Sequence, residues 1–139
     1  MKIRKRIAAI AATTALTISG LAALSPAAHA VPAVANGQDS YVYTTDGCGE
    51  ARWINVGDKF GVRDLCADGY RAVAYVQWYG SDGTHYQAEV QDADGAGSTW
   101  VYNNDHNMPE GASIALWVCL RNGANGADFN CDVDVSGVA

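Results

Sequence analysis

The chain has 139 residues, with nine basic and fifteen acidic side chains and a formal charge of −6. Four of the nine basic residues (Lys2, Arg4, Lys5, Arg6) and none of the acidic ones lie in residues 1–30, so residues 31–139 carry five basic against fifteen acidic groups, a charge of −10. A field of that sign repels phosphate backbones and anionic lipid surfaces; it argues against nucleic acid and membrane as ligands and favours cations or basic protein partners.

In chain order, the basic cluster is followed by an apolar run from Ile7 to Leu24 and by Ala28-His29-Ala30, a small-x-small cleavage site. That order reads as an export signal over residues 1–30, which makes the product secreted and extracellular. Thr13, Thr14, Thr17, Ser19 and Gly20 interrupt the run and Pro26 precedes the cleavage site, which weighs against a membrane anchor. Val31 to Asp39 is an Ala-, Pro- and Gly-containing leader without periodicity, expected to stay mobile. One domain is expected over residues 40–139.

Eight short runs rich in β-branched and aromatic residues follow: Tyr41–Tyr43, Ala51–Asn55, Phe60–Cys66, Tyr70–Tyr79, Thr84–Val90, Ser98–Tyr102, Ser113–Arg121 and Asp128–Val135. Between them stand Asp46-Gly47, Gly57-Asp58, Asp68-Gly69, Asp82-Gly83, Asp94-Gly95, Glu110-Gly111 and Asn122 to Gly126, residues that tolerate positive φ. Short connections imply antiparallel neighbours, and no segment has helical periodicity with a cap. The expected fold is all-β, a small antiparallel β-sandwich or small barrel of about eight strands. In the run from Tyr70, the residues Tyr70, Ala72, Ala74, Val76 and Trp78 form the apolar face, and Arg71, Val73, Tyr75, Gln77 and Tyr79 the mixed one. Tyr86, Ala88 and Val90 face inward, with His85, Gln87, Glu89 and Gln91 toward solvent. Ile114, Leu116, Val118 and Leu120 alternate with Ala115, Trp117 and Cys119, apolar on both sides, which predicts a central strand covered on both faces.

All four cysteines, Cys48, Cys66, Cys119 and Cys131, follow the export signal, and an even count in an oxidising compartment reads as two disulfides. Gly57 and Asn125, the midpoints of Cys48/Cys66 and Cys119/Cys131, both lie in turn segments, so the pairs are expected in sequence order across hairpins. One difficulty is that strict opposition also sets Trp117 against Val133, an arrangement that a one-residue bulge would flip. The alternative, Cys66 with Cys119 around Trp78 as in an immunoglobulin core, is disfavoured because Trp117 stands two residues before Cys119 where that fold has Tyr.

No G-x-S-x-G, H-E-x-x-H or unpaired cysteine marks a catalytic centre. Asp105, His106 and Glu110 could be drawn as an acid–base group, but a loop of that composition reads as a polar turn. Asp92-x-Asp94 and Asp132-x-Asp134 space carboxylates as calcium loops do, yet lack the further oxygen ligands, so no metal or other cofactor is expected. All thirteen aromatic residues follow the export signal. Tyr75 and Tyr79 share a mixed face with Arg71, and Trp100 and Tyr102 share a face of their own run, so an exposed ligand-binding patch is expected from Arg71, Tyr75, Tyr79, Trp100 and Tyr102; the competing expectation is that a loop or second sheet covers the rings.

Gly57-Asp58-Lys59-Phe60, Asp64-Leu65-Cys66-Ala67-Asp68-Gly69, Pro109-Glu110-Gly111 and Val118-Cys119-Leu120, after an export signal and short leader, resemble small secreted proteins of actinobacteria of unknown function, which implies a fold and a compartment without an activity. Arg52-Trp53 between Cys48 and Cys66 gives a weaker resemblance to the streptomycete α-amylase inhibitors, two-disulfide β-sandwiches that present a Trp-Arg-Tyr triplet; here the order is reversed and Ile54 follows. The expected function is a secreted, monomeric, non-enzymatic domain binding an extracellular protein or polysaccharide. The alternatives are an inhibitor of a hydrolase and, third, a small hydrolase.

Overall fold

The computed structural model describes residues 37–139. The expected export signal and most of the leader lie outside the described residues. Eight strands are formed: β1 (Ser40–Tyr43), β2 (Gly49–Ile54), β3 (Lys59–Asp64), β4 (Arg71–Tyr79), β5 (His85–Asp92), β6 (Val101–Asn103), β7 (Ser113–Arg121) and β8 (Asp128–Val138). They make two antiparallel sheets, a first of order β1-β2-β3-β6 and a second of order β5-β4-β7-β8. The result is an all-β sandwich. Among the described residues no helix is long and apolar enough to cross a membrane.

Alternation decides which side chains fill the space between the sheets. Val42, Ala51, Trp53, Phe60 and Val62 of the first sheet meet Ala72, Ala74, Val76, Trp78, Ile114, Leu116, Val118 and Leu120 of the second. Trp53 and Phe60 are fully buried and face each other across the β2–β3 ladder. Removing a ring of that size would cost about 3–5 kcal/mol. The β2–β3 turn needs two left-handed residues in succession, Gly57 (φ 85°) and Asp58 (φ 47°), and Gly-Asp supplies them with little strain.

The disulfides pair in sequence order, Cys48–Cys66 and Cys119–Cys131, closing hairpins β2–β3 and β7–β8. Loops of 18 and 12 residues correspond to about 3 kcal/mol each on chain-entropy grounds. Trp117 does oppose Val133, and the register then slips by one residue between Val118 and Leu120, with Asn130 at φ 51°. Cys119 and Cys131 therefore meet in the same register as the Trp117–Val133 pair, and the bulge lies just beyond them, toward the hairpin turn.

Three local expectations are corrected. Gln38 exchanges both backbone hydrogen bonds with Val138, and Asp39 accepts the Asn55 N–H, so the leader is already tied to the domain at Gln38. Tyr70 precedes β4 and packs edge-on against Phe129 instead of entering the core. β7 is central, but only its inner face is fully covered, since Ala115 and Trp117 are half-buried on the outside.

Besides Glu50, buried on the outer face of the first sheet, two acids lie between the sheets. Asp92 is fully buried; its Oδ1 accepts the Asp94 N–H, and its Oδ2 accepts the Asp64 N–H and the Ser98 hydroxyl. Those bonds pin the β5–β6 connection to the end of β3. Asp64 Oδ1 accepts the Cys66 N–H, whereas its buried Oδ2 has no partner, and burial raises the Asp64 carboxyl above its ordinary range.

Candidate functional site

The outer face of the first sheet is built by the residues that alternate with its core. β1 contributes Tyr41 and Tyr43, β2 contributes Glu50, Arg52 and Ile54, and β3 contributes Lys59, Gly61 and Arg63. β6 adds Tyr102, and the segment before it Trp100. Register sets Tyr43, Glu50 and Arg63 in one row across the sheet and Tyr41, Arg52, Gly61 and Tyr102 in the next.

In the first row, Glu50 accepts hydrogen bonds from the Tyr43 hydroxyl (2.9 Å) and from Arg63 Nε (2.7 Å). The Glu50 hydrogen bond and charge hold the Tyr43 phenol above its ordinary value. The second row has a different chemistry. The Arg52 guanidinium lies 4.1 Å from the Trp100 ring centre and 5.0 Å from that of Tyr102. Arg63 reaches Trp100 at 5.0 Å and Lys59 reaches Tyr102 at 5.7 Å. These are cation–π distances. The two rings lie nearly parallel, 6.1 Å apart. Gly61 makes the arrangement possible: a Cβ there would stand 2.6 Å from Tyr102 Cδ1, so the ring crosses the strand only because no side chain intervenes.

The expected patch of Arg71, Tyr75, Tyr79, Trp100 and Tyr102 does not form one surface. Trp100 and Tyr102 are on the outside of the first sheet, while Arg71, Tyr75 and Tyr79 are on the outside of the second, facing away from them. Alternation had placed each pair correctly within its own strand, and sheet membership separates them. Tyr79 is exposed and packs against His85. Arg71 donates to Gln91. Tyr75 is half-buried in a network in which its hydroxyl donates to Asp128 and accepts from Arg121, and Arg121 also bonds Asp128 (2.6 Å) and Glu89 (3.2 Å). Burial and the Asp128 carboxylate push the Tyr75 phenol well above its ordinary value. Burial opposes ionisation of Asp128, but the Arg121 and Tyr75 hydrogen bonds outweigh it and hold the carboxyl below its usual range. This network joins β4, β5, β7 and β8, and its groups are engaged with one another.

Sequence reasoning missed Arg52, Lys59 and Arg63 as companions of Trp100 and Tyr102. Alternation within β2 and β3 could have placed the three cations on one face; the pairing of β3 with β6 had no signal in the sequence. Trp53 is fully buried, so Arg52-Trp53 is not presented as a pair. Trp, Arg and Tyr nevertheless meet in space as Trp100, Arg52 and Tyr102.

At one end of the sandwich, a cleft of about 480 Å³ is lined by Trp78, Asp82, Tyr86, Asp105 and His106 among others. His106 packs against Trp78 and Phe60, and Asp82 accepts the Thr84 N–H and hydroxyl; Glu110 is not part of the lining. Among the described residues, no group of three or more His, Cys, Asp or Glu side chains is placed to hold a metal ion. Neither a family model nor a curated protein nor a solved structure matches this chain.

Proposed function

We propose that the chain is a secreted, non-enzymatic binding domain that meets an extracellular protein or polysaccharide with the outer face of its first sheet. One observation carries the reading: Arg52, Lys59 and Arg63, three of the five basic residues that follow the export signal, gather with Trp100 and Tyr102 on one face of an otherwise acidic domain. Guanidinium and ammonium groups and aromatic rings hold and orient a ligand by charge, donor geometry and stacking. Rings braced by cations lose little conformational entropy on binding. A pull-down from culture fluid and cell-wall fractions tests the reading. Material retained by the wild type should be lost with Arg52→Gln or Trp100→Ala and kept with Tyr79→Ala on the opposite face. The reverse pattern would refute it.

The Trp100–Arg52–Tyr102 cluster favours a second reading, inhibition of a hydrolase, because it brings together the three residue types that the α-amylase inhibitors present consecutively. Titration of an α-amylase with the protein should then reach a stoichiometric end point that Arg52→Gln abolishes.

A further inference from the structure

We infer that the partner of this face is a protein surface rich in carboxylates, anchored on Arg52. The inference rests on the reading of the face as the contact surface.

Among the described arginines, Arg52 is set apart by what it lacks. Arg63 is paired with Glu50, Arg121 with Glu89 and Asp128, and Arg71 with the Gln91 side chain. Arg52 forms no ion pair among the described residues, and its buried Nε has no hydrogen-bond partner. The chain has fifteen carboxylates for five cations after the export signal, so acids are plentiful, yet none compensates this guanidinium. With its Nε covered, braced by two rings and paired with no acid, the guanidinium keeps its other N–H donors for an external anion that they can grip in two places.

The surroundings narrow the class of partner. Trp100 is engaged by the guanidinium groups of Arg52 and Arg63, and Tyr102 by Arg52 and Lys59, with Gly61 against its ring. Those cations occupy ring surface on which a sugar would stack, and what the face presents instead is donor edges. Tyr41 and Tyr43, each half-exposed, and Ile54 extend the surface across four strands. Tyr, Trp and Arg on a broad sheet face are the residue types on which protein interfaces concentrate their binding energy. The acids near the face lie away from Arg52 or are engaged: Glu50 by Arg63 and Tyr43, Asp39, at the corner beside Ile54, by the Asn55 N–H, and Asp132 and Asp134 at the β1 edge, beside Tyr41 and Tyr43. Elsewhere the domain repels an acidic partner, so this field also fixes the orientation of docking.

The test uses the protein with both disulfides oxidised, titrated at about 0.15 M salt with poly-L-glutamate, polygalacturonate and neutral dextran. Poly-L-glutamate should bind most tightly. Arg52→Gln should weaken it by at least about tenfold, Arg52→Lys by several-fold because the fork is lost, and Arg71→Gln on the other sheet should leave it unchanged, all with unaltered melting temperatures. Failure of poly-L-glutamate to bind, or equal binding by Arg52→Gln, would overturn the inference. Polygalacturonate or dextran bound more tightly, with loss on Trp100→Ala, would overturn the partner class and leave the contact face standing. A pull-down insensitive to every substitution on this face would remove the face itself.

Discussion

Replacing Gly61 with Ala places a methyl group 2.6 Å from Tyr102 Cδ1, 2.7 Å from Cε1 and 3.1 Å from the Val101 carbonyl oxygen. Ordinary contact begins near 3.4 Å, so the Tyr102 ring must retreat by about 1 Å. Tyr102 is 37% exposed and has no place in the core, so it can yield. Its contact with Arg52 contributes about 0.5–1 kcal/mol at an exposed site. The same substitution removes about 0.4–1 kcal/mol of unfolded-state freedom, because Gly61 does not occupy the left-handed region. The two effects nearly cancel, and the unfolding free energy should move by no more than about 0.5 kcal/mol. Binding through the face should still weaken about fivefold, since Arg52 loses one of its two braces. Urea unfolding followed by tryptophan emission gives the first quantity, and titration with poly-L-glutamate the second. A stability loss above about 2 kcal/mol would show that Tyr102 supports the core, and unchanged affinity would show that its position does not matter to Arg52.

Two further predictions concern charge inside the fold. Arg121→Met strands the Asp128 and Glu89 carboxylates, and because their side chains are 26% and 37% exposed the loss at pH 7 should be about 1–3 kcal/mol, below that of a fully buried pair. Asp128 has a depressed folded-state pKa, so its contribution is present above the unfolded value and is lost as pH falls through the folded one; the gap between wild type and variant should narrow below about pH 4, and a gap independent of pH in urea titrations would refute the assignment. Asp64 has the opposite sign: its raised folded-state pKa means that the neutral carboxyl is tolerated at low pH and the charged one costs stability at neutral pH. Asp64→Asn keeps an acceptor for the Cys66 N–H and should raise the melting temperature at pH 7 with the gain vanishing toward about pH 3; a less stable variant at pH 7 would contradict this.

Much of the fold was legible because its signals are local. β-Branched and aromatic runs, seven turn segments and the midpoints of the cysteine spacings each depend on a few neighbouring residues, and they yielded eight antiparallel strands and both disulfides. The buried Asp64 and Asp92 were not legible, because a carboxylate is tolerated inside only when distant backbone and hydroxyl donors reach it, as the Asp64 N–H and Ser98 reach Asp92.

The candidate site divides in the same way. Period-two alternation within a strand is a property of the chain, and by itself it determined that Trp100 pairs with Tyr102, that Tyr75 pairs with Tyr79, and that Ala72, Ala74, Val76 and Trp78 form a core face. Which strand joins which sheet is settled by packing across the whole domain, and only the tertiary structure decided that β6 lies beside β3 and β4 between β5 and β7. That choice split the expected aromatic patch, closed Tyr75 into an ionic network with Arg121, and delivered Trp100 and Tyr102 to Arg52, some fifty residues earlier in the chain, where Gly61 leaves room for the ring.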